Sequence, residues 1–551
     1  MTAPRENGKR DVTPQSIDEL RGQLRSLGYL THGLERWFAL DPWSSRTFWQ
    51  ELLAVAAKSG VLVAPFVAAP MMAATAVRNA PVGIAPAIVL GAGWILIALV
   101  AIIGLVVASA LVMKIRPLAV IERPGLLTVA SLSLSALLAG GVAFWWSGFE
   151  SRASNLETLL VAGLVLALVA AGATVFAAAL LSFSIHETRQ IPAIARRPRS
   201  RAILLASAVI LAGLVALPSL TAKPAQPLPP ESVLVTPTDA KVALIAVDGL
   251  TLQLFRAHEG VRESFADARA LRFPAVSSVP ELWASLGTGT GRDLHAVRSI
   301  EGLRVGGEIL QEVSRHEPLR ALPPIARAEP LPSNVRMRHY AWELLAERGV
   351  PVVAANWWLT PSLDAGALRT RGQEEIFAAA RSPEPGTRAL EVDRTAMAAL
   401  LESIEARRPG FATVYLPAVD IAMNRLELPA GSRPPLVLEA IESIAGLASE
   451  LRNHGFEVLL IGAPGIGAEG EGVLASTIAL SERDATAEDL APTLLALFGF
   501  PASEEMPGTS LLPDGEQPRI GSFGARGGTR VRRETFDREY HEALRSLGYV
   551  Q

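Results

Sequence analysis

Long runs of apolar residues dominate the chain as far as Leu220 and then stop. Five of these runs approach the roughly 20 residues that a helix needs to cross a bilayer. None of them carries the polar face at helical spacing that a buried helix of a soluble protein would show. The pattern therefore predicts five membrane spans, at Leu52–Val77, Val82–Met113, Leu126–Trp146, Leu159–Ile185 and Ala202–Leu217.

Basic residues are unevenly distributed over the segments that connect these runs. Lys114, Arg116 and Arg123 lie between the second and third runs, and five arginines lie between the fourth and fifth. Because basic loops remain in the cytoplasm, we expect a cytoplasmic N-terminus and an extracytoplasmic chain after the fifth run. Charges inside the runs are almost absent, which favours an anchor over a transport path.

A proline-rich stretch at residues 223–237 separates these runs from a second pattern, in which short apolar strands alternate with helical segments. This alternation is typical of a mainly parallel sheet that is covered by helices on both faces. The predicted strands are Val242–Val247, Val350–Ala355, Ala412–Leu416 and Glu457–Ile461. The predicted helices include Leu282–Leu286, His339–Arg348, Asp393–Arg407, Leu436–Asn453 and Ala487–Phe498.

The two patterns define the predicted fold class: a helical transmembrane bundle followed by an α/β domain. The boundaries follow from the changes in composition. We expect a cytoplasmic segment (1–47), a five-span domain (48–222), a linker (223–237), an α/β domain (238–515) and a tail (516–551).

Charge and composition narrow the possible chemistry. The formal net charge of -3 gives no reason to expect a nucleic-acid partner. The chain contains no cysteine, which excludes disulfides, thiolate metal ligands and a cysteine nucleophile. The heptapeptide LRSLGYL at residues 24–30 recurs as LRSLGYV at residues 544–550. We interpret each copy as a helix end that is closed by a glycine.

The strand that begins at Val242 ends in Asp248 and Gly249. An acidic residue at the carboxyl end of a parallel strand lies in the crevice where open α/β sheets bind ligands. Four segments in order resemble type I phosphodiesterase/nucleotide pyrophosphatase proteins of the alkaline phosphatase superfamily. They are Asp248-Gly249 with SSVPELWASLGTG (277–289), AWELLAERGVPVVAANWWLTP (341–361), VYLPAVD (414–420) and EDLAPTLLALFGFPASEEM (488–506).

This resemblance implies two metal ions, usually zinc, that flank a Ser or Thr nucleophile and stabilise the charge that develops on phosphorus. Asp248 and Asp420 match metal-ligand positions of that family. Ser278 matches the nucleophile, with Ser277 as a rival because one extra residue separates the following proline and tryptophan.

A Trp-Trp pair ends the second matching segment, near the predicted crevice. Trp357 and Trp358 are candidates for stacking on a ligand, and packing in the core is an equally good interpretation of them.

The remaining ligand positions lack suitable side chains. Asn424 stands where the family carries a histidine, and Gly462-Ala463-Pro464-Gly465 replaces its Asp-His-Gly turn. Zinc needs three or four N, S or charged O ligands, and a two-metal site needs that set twice. The alternative is one Mg²⁺ or Ca²⁺, for which Asn424, Glu469 and Glu471 would add oxygen ligands.

The sequence thus predicts a multi-pass protein of a bacterial inner membrane with an extracytoplasmic domain of the alkaline phosphatase type. An incomplete metal site favours a pseudoenzyme that binds or scaffolds, with the lipid bilayer and an envelope phospho-ligand or protein as partners. The alternative is an active metal-dependent phosphodiesterase or phospho-head-group transferase that uses Ser278.

Overall fold

The computed structural model describes the following residues: 48–79, 82–115, 124–149, 155–188, 229–231, 235, 238–273, 278–299, 301–322, 324–331, 335–357, 378–380, 385–425, 431, 433–465, 471–513, 517–526, 542 and 545–547. The predicted fifth span, Ala202–Leu217, and the N-terminal copy of the LRSLGY heptapeptide lie outside these residues.

Four apolar helices make up the N-terminal part of the described structure. They are α1 (Phe48–Arg78), α2 (Ile84–Ile115), α3 (Pro124–Ser147) and α4 (Asn155–Thr188). Each is long and apolar enough to cross a membrane, which confirms four of the predicted runs as helices of that kind. The most apolar stretch of α1 is 72% buried, against 22% in α2, so α1 lies inside the bundle.

The described residues from Thr238 onward form an α/β domain, as predicted. Its strands are β1 (Val242–Asp248), β2 (Asp267–Arg272), β3 (Glu301–Val305), β4 (Glu308–Leu310), β5 (Ala326–Pro330), β6 (Val352–Ala355), β7 (Phe411–Leu416), β8 (Glu457–Ala463), β9 (Gly472–Ser476), β10 (Ala485–Thr486), β11 (Ala502–Ser503) and β12 (Arg519–Ile520). Its helices are α5 (Leu252–Ala257), α6 (Glu259–Glu263), α7 (Val279–Thr288), α8 (Arg292–His295), α9 (Ala341–Glu347), α10 (Pro385–Arg407), α11 (Ala418–Asp420), α12 (Arg433–Asn453) and α13 (Leu490–Leu497).

A central sheet of seven strands has the order β10-β2-β9-β8-β1-β7-β6. Strands β6, β7, β1 and β8 pair in parallel, as the sequence pattern predicts. Strand β9 is the antiparallel exception, and it pairs with both β8 and β2. Every residue of β1 is buried, because helices cover both faces of the sheet.

Alternating residues of β1 point to the two faces of the sheet. Ala243, Ile245 and Val247 belong to the core that α10 and α12 complete. Leu244 and Ala246 belong to the opposite core, which contains residues of α7, α9 and α13. The crevice at the carboxyl edge therefore lies between two layers of helices.

A second, three-stranded sheet of order β4-β3-β5 lies between α8 and α9 in the chain. Its apolar side chains, and Leu319 in the connection between β4 and β5, share one core with the membrane helices rather than with the central sheet; those of the strands include Leu303, Val305, Leu310 and Ala326. We call residues 301–331 the insert. It joins the α/β domain to the helical bundle.

Two C-terminal segments also pack on the α/β domain. Strand β12 pairs with β11, so the domain's contacts continue past the predicted boundary at residue 515. Leu547, in the second LRSLGY copy, is buried in the core beside α10 and α12.

Candidate functional site

The carboxyl edge of the central sheet brings the two predicted acidic residues together. Asp248 is the last residue of β1, and Asp420 ends the short helix α11 that follows β7. Both side chains are fully buried. The segments meet closely at Gly249 (φ +85), where a Cβ atom would lie 2.5 Å from the amide N of Asp420. Only glycine allows this approach without a shift of the backbone.

The Tyr415 hydroxyl donates to Oδ2 of Asp248 at 3.1 Å. The Oδ1 atom of Asp248 has no hydrogen-bond partner among the described residues. Burial, and then the neighbouring Asp420 carboxylate, raise the pKa of Asp248 well above its usual range. Arg425 and the Tyr415 hydrogen bond act in the opposite direction.

Asp420 is held by two side chains from the turn that follows it. Arg425 donates from Nε to Oδ2 at 2.8 Å, and Asn424 donates from Nδ2 to Oδ1 at 2.8 Å. Residues Ile421–Arg425 form a π-helical turn, whose wider spacing brings residue 425 back over residue 420. A guanidinium cation therefore neutralises the buried carboxylate.

The turn after β8 fills the space beside this ion pair. Ala463 lies opposite Asp248 in the parallel register of β8 and β1. At Gly465 (φ +89), a Cβ atom would lie 2.7 Å from Oδ1 of Asp420 and 3.0 Å from Nδ2 of Asn424. A side chain cannot stand at residue 465 unless Asp420 or Asn424 moves.

Ser278, the predicted nucleophile, is engaged in local structure. Its hydroxyl caps α7 by accepting from the Glu281 amide at 3.3 Å, and it donates to the Arg298 carbonyl at 2.6 Å. The residue is 8% exposed. Its rival, Ser277, lies outside the described residues.

Trp357 is buried in an aromatic cluster, at ring-centroid distances of 4.6 Å from Trp342 and 5.8 Å from Trp283. Trp283 in turn lies 5.4 Å from the Tyr415 ring. Trp357 thus packs in the core and supports the tyrosine that contacts Asp248. Trp358 lies outside the described residues.

Two further buried groups of the α/β domain, Asp393 and His295, were not among the predicted site residues. Asp393 of α10 accepts from the Ala418 amide at 3.2 Å. It thereby holds the first residue of α11, the three-residue helix that ends at Asp420. Burial raises the pKa of Asp393 well above its usual range. In the sequence Asp393 had no signal beyond its place in an amphipathic helix.

His295 is also fully buried. Its Nδ1 accepts from the Val297 amide at 3.0 Å, so Nε2 carries the hydrogen and faces the Ser285 hydroxyl at 2.9 Å. Burial and four nearby arginines lower the pKa of His295 to about 3. The side chain is a neutral structural residue.

The described residues do not fit a two-zinc centre. Within them, no group of three or more His, Cys, Asp and Glu side chains lies close enough to hold a metal ion. Both oxygens of Asp420 are already bound, one of them by a cation. For a single hard ion, Asp248 Oδ1 is the open acceptor, and the Glu471 side chain is exposed. Glu469 lies outside the described part of the chain.

No family model matches the chain, and no curated protein matches it. Among solved structures, it is similar to two of phosphonoacetate hydrolase from Sinorhizobium meliloti 1021. The structure in complex with phosphonoacetate is 14% identical with a TM-score of 0.28, and the match covers 43% of this chain and 60% of that one. The structure with phosphonoformate is 11% identical with a TM-score of 0.28, and the match covers 58% and 100%.

Proposed function

We propose that the α/β domain is a membrane-anchored binding or scaffolding unit of the alkaline phosphatase type that does not carry a two-metal reaction centre. One observation supports this proposal more than any other. The Asp420 carboxylate is bound on one oxygen by Arg425 and on the other by Asn424.

The charge at this position explains why the ion pair matters. A metal ion beside Asp420 would face the Arg425 guanidinium, and the like charges would repel. Arg425 occupies Oδ2 of Asp420, so an ion could bind that oxygen only after the guanidinium had moved away.

The state of Ser278 agrees with a non-catalytic role. A nucleophile needs a base or a metal that lowers the pKa of its hydroxyl. The Ser278 hydroxyl instead donates to a backbone carbonyl, that of Arg298. Attack on phosphorus would require this hydrogen bond to break.

Metal analysis of the purified, full-length protein tests the proposal. We expect less than one tightly bound zinc per chain after dialysis against zinc-free buffer. Two zinc ions per chain would overturn the proposal. So would turnover of a chromogenic phosphodiester that disappears in Ser278→Ala, because it would establish the alternative of a phosphodiesterase or head-group transferase. If Ser277→Ala abolished turnover instead, Ser277 would be the nucleophile.

We further propose that the N-terminus is cytoplasmic and the α/β domain extracytoplasmic. The insert contacts the bundle at Arg78 in the last turn of α1, at Gly83 just before α2 and at Gly148 just after α3, whereas Lys114 lies at the other end of α2. Basic helix ends that face the cytoplasm would put the domain on the other side. A reporter enzyme that is active only outside the cytoplasm, fused after Gln551, should be active; an active cytoplasmic reporter at that position would invert the topology.

A further inference from the structure

The direction of α7 places Ser278 at the same edge of the central sheet as the two aspartates. Within α7, Trp283 contacts Tyr415, which lies near the carboxyl end of β7. One turn later, a Cβ at Gly287 would lie 2.8 Å from Trp342, which stacks on Phe411 at the amino end of β7. The helix thus runs from the carboxyl edge to the amino edge, and its N-cap residue stands at the crevice edge.

A short chain of contacts connects this edge to the membrane helices. The Ser278 hydroxyl donates to the Arg298 carbonyl at 2.6 Å. The Arg298 guanidinium donates to the carbonyl of Arg78, the last residue of α1. Arg78 itself pairs with Glu157 in the first turn of α4 at 2.6 Å. The crevice edge and the end of the bundle are therefore neighbours.

The insert strengthens this connection through Asn79. The Asn79 side chain accepts from the amides of Gln311 and Glu312, both at 2.9 Å, and donates to the Glu312 carbonyl at 2.7 Å. The Gln311 side chain in turn accepts from the Arg298 amide at 2.8 Å. A single asparagine at the end of α1 thus satisfies three backbone groups of the insert.

Glu317 inserts between two of the membrane helices. Its carboxylate accepts from the indole N–H groups of Trp94 in α2, at 2.9 Å, and Trp145 in α3, at 2.7 Å. It also accepts from the Leu319 amide at 3.2 Å. The two indole donors fix this buried carboxylate, and with it the insert, laterally on the bundle, and the Leu319 amide orients it from within the insert.

The length of α2 shows at which depth this contact lies. At about 1.5 Å per residue, its 32 residues span roughly 48 Å, whereas the hydrocarbon core of a bilayer is about 30 Å thick. Leu319 lies against Gly93, where a Cβ would be 2.7 Å from a Leu319 methyl. If the roughly 20 residues that end at Lys114 fill this core, Ile84–Trp94 extend beyond it, and the insert covers this end of α2 at the bilayer surface.

We propose that the insert clamps the carboxyl edge of the central sheet onto the end of the bundle, so that this edge faces the bilayer surface. The orientation rests on the contacts from Ser278 to Arg78, from Asn79 to the insert and from Glu317 to the two indoles, and on the position of the insert along α2.

The absence of cysteine in the chain allows a direct test with single fluorescent labels. Met423, which is 44% exposed in the turn beside Asp420, marks the crevice edge. Asn453, exposed at the end of α12, marks the amino edge, which lies about 23 Å away along a seven-residue strand. We would label Met423→Cys and Asn453→Cys in the full-length protein, in vesicles of phosphatidylethanolamine and phosphatidylglycerol with spin-labelled head groups.

We expect at least twofold stronger quenching of the label at residue 423 than of the label at residue 453. Equal quenching, or stronger quenching at residue 453, would overturn the proposal. In Glu317→Gln, which replaces one acceptor oxygen by a donor, the contrast should shrink, whereas Glu308→Gln, in an exposed contact of the same insert, should retain it. An unchanged contrast in a folded Glu317→Gln protein would rule out the clamp. Because the labels report orientation only, zinc binding or turnover would overturn the proposed function and leave this result intact.

Discussion

Arg425 binds Asp420 through Nε at 2.8 Å, with the carboxylate fully buried and the guanidinium 21% exposed. The pair lies where the sequence resemblance leads one to expect a metal ion. The guanidinium neutralises a buried acid at the carboxyl edge of the sheet.

Replacement of Arg425 should leave the buried Asp420 carboxylate without a neutralising cation. In Arg425→Ala, Asp420 would be buried beside Asp248 without a cation, and we expect the free energy of unfolding to fall by about 3 kcal/mol. Millimolar Mg²⁺ should restore part of the loss, because hard divalent ions prefer carboxylate oxygens. Thermal unfolding in detergent, with EDTA and with Mg²⁺, measures both effects. Arg452→Ala, at an exposed position, is the control, and equal unfolding temperatures of the two variants would contradict the prediction.

Gly465→Ala should be destabilising although it adds a single methyl group. The new Cβ would lie 2.7 Å from Oδ1 of Asp420, and the backbone at φ +89 disfavours any side chain. We expect a loss of roughly 1–2 kcal/mol from the backbone alone. Gly446→Ala is the matched control, because its Cβ would meet open space within a helix and should stabilise by about 0.5–1 kcal/mol. Changes of the same sign in the two variants would argue against the packing described here.

His295 should make stability depend on pH. Its pKa of about 3 in the folded protein lies below the ordinary value of 6.5, so the unfolded chain binds the extra proton first as pH falls. The free energy of unfolding should therefore decrease by up to about 1.4 kcal/mol per pH unit between pH 6.5 and 3. Unfolding temperatures of the native protein and of His295→Gln, compared at pH 7.5 and 5, measure this effect. A native protein that loses no more stability than His295→Gln would contradict it; His454→Gln is the control.

Asp393→Asn should stabilise the protein at neutral pH. The raised pKa of Asp393 means that the folded state resists the ionisation that the unfolded chain undergoes above its lower, ordinary pKa. Folding therefore loses stability as pH rises through this range, and an amide, which still accepts from the Ala418 amide, removes the loss. We expect a gain of roughly 1–3 kcal/mol at pH 7 that vanishes in acid. Glu405→Gln, on the exposed side of the same helix, should change little; a destabilised Asp393→Asn at pH 7 would refute the prediction.

The sequence pattern was sufficient for the parts of the fold with strong periodicity. The strands around Asp248 are continuous apolar runs, so β1, β7 and β8 were predicted within two residues of their observed ends. The family resemblance predicted that Asp248 and Asp420 lie at one site, and the structure places both at the carboxyl edge of the sheet. Their individual partners did not follow from the resemblance.

The missed features depend on contacts that have no local signal. Arg425 reaches Asp420 through a π-helical turn, and five-residue spacing is not a pattern that an ordinary helix makes. The strands of the insert, such as Glu301–Val305, are short and contain charged residues, so they give a weak sequence signal. Their apolar residues pack against the membrane helices, which a local pattern does not reveal. Antiparallel β9 follows a stretch of sequence that is rich in glycine and has only five residues.

The hydrogen bonds of Glu317 have a consequence for how the two halves of this protein can be exchanged. Trp94 and Trp145 come from neighbouring helices, and a residue of the α/β domain supplies the acceptor that both indoles share. A chimaera that keeps these helices but carries a different extramembrane domain would leave the two buried indole N–H groups without an acceptor. If this domain were fused to a different set of membrane helices, the Glu317 carboxylate would lose its two indole donors. The helical bundle and the α/β domain therefore depend on each other, and a substitution of Trp94, Trp145 or Glu317 will require a compensating substitution in the other part.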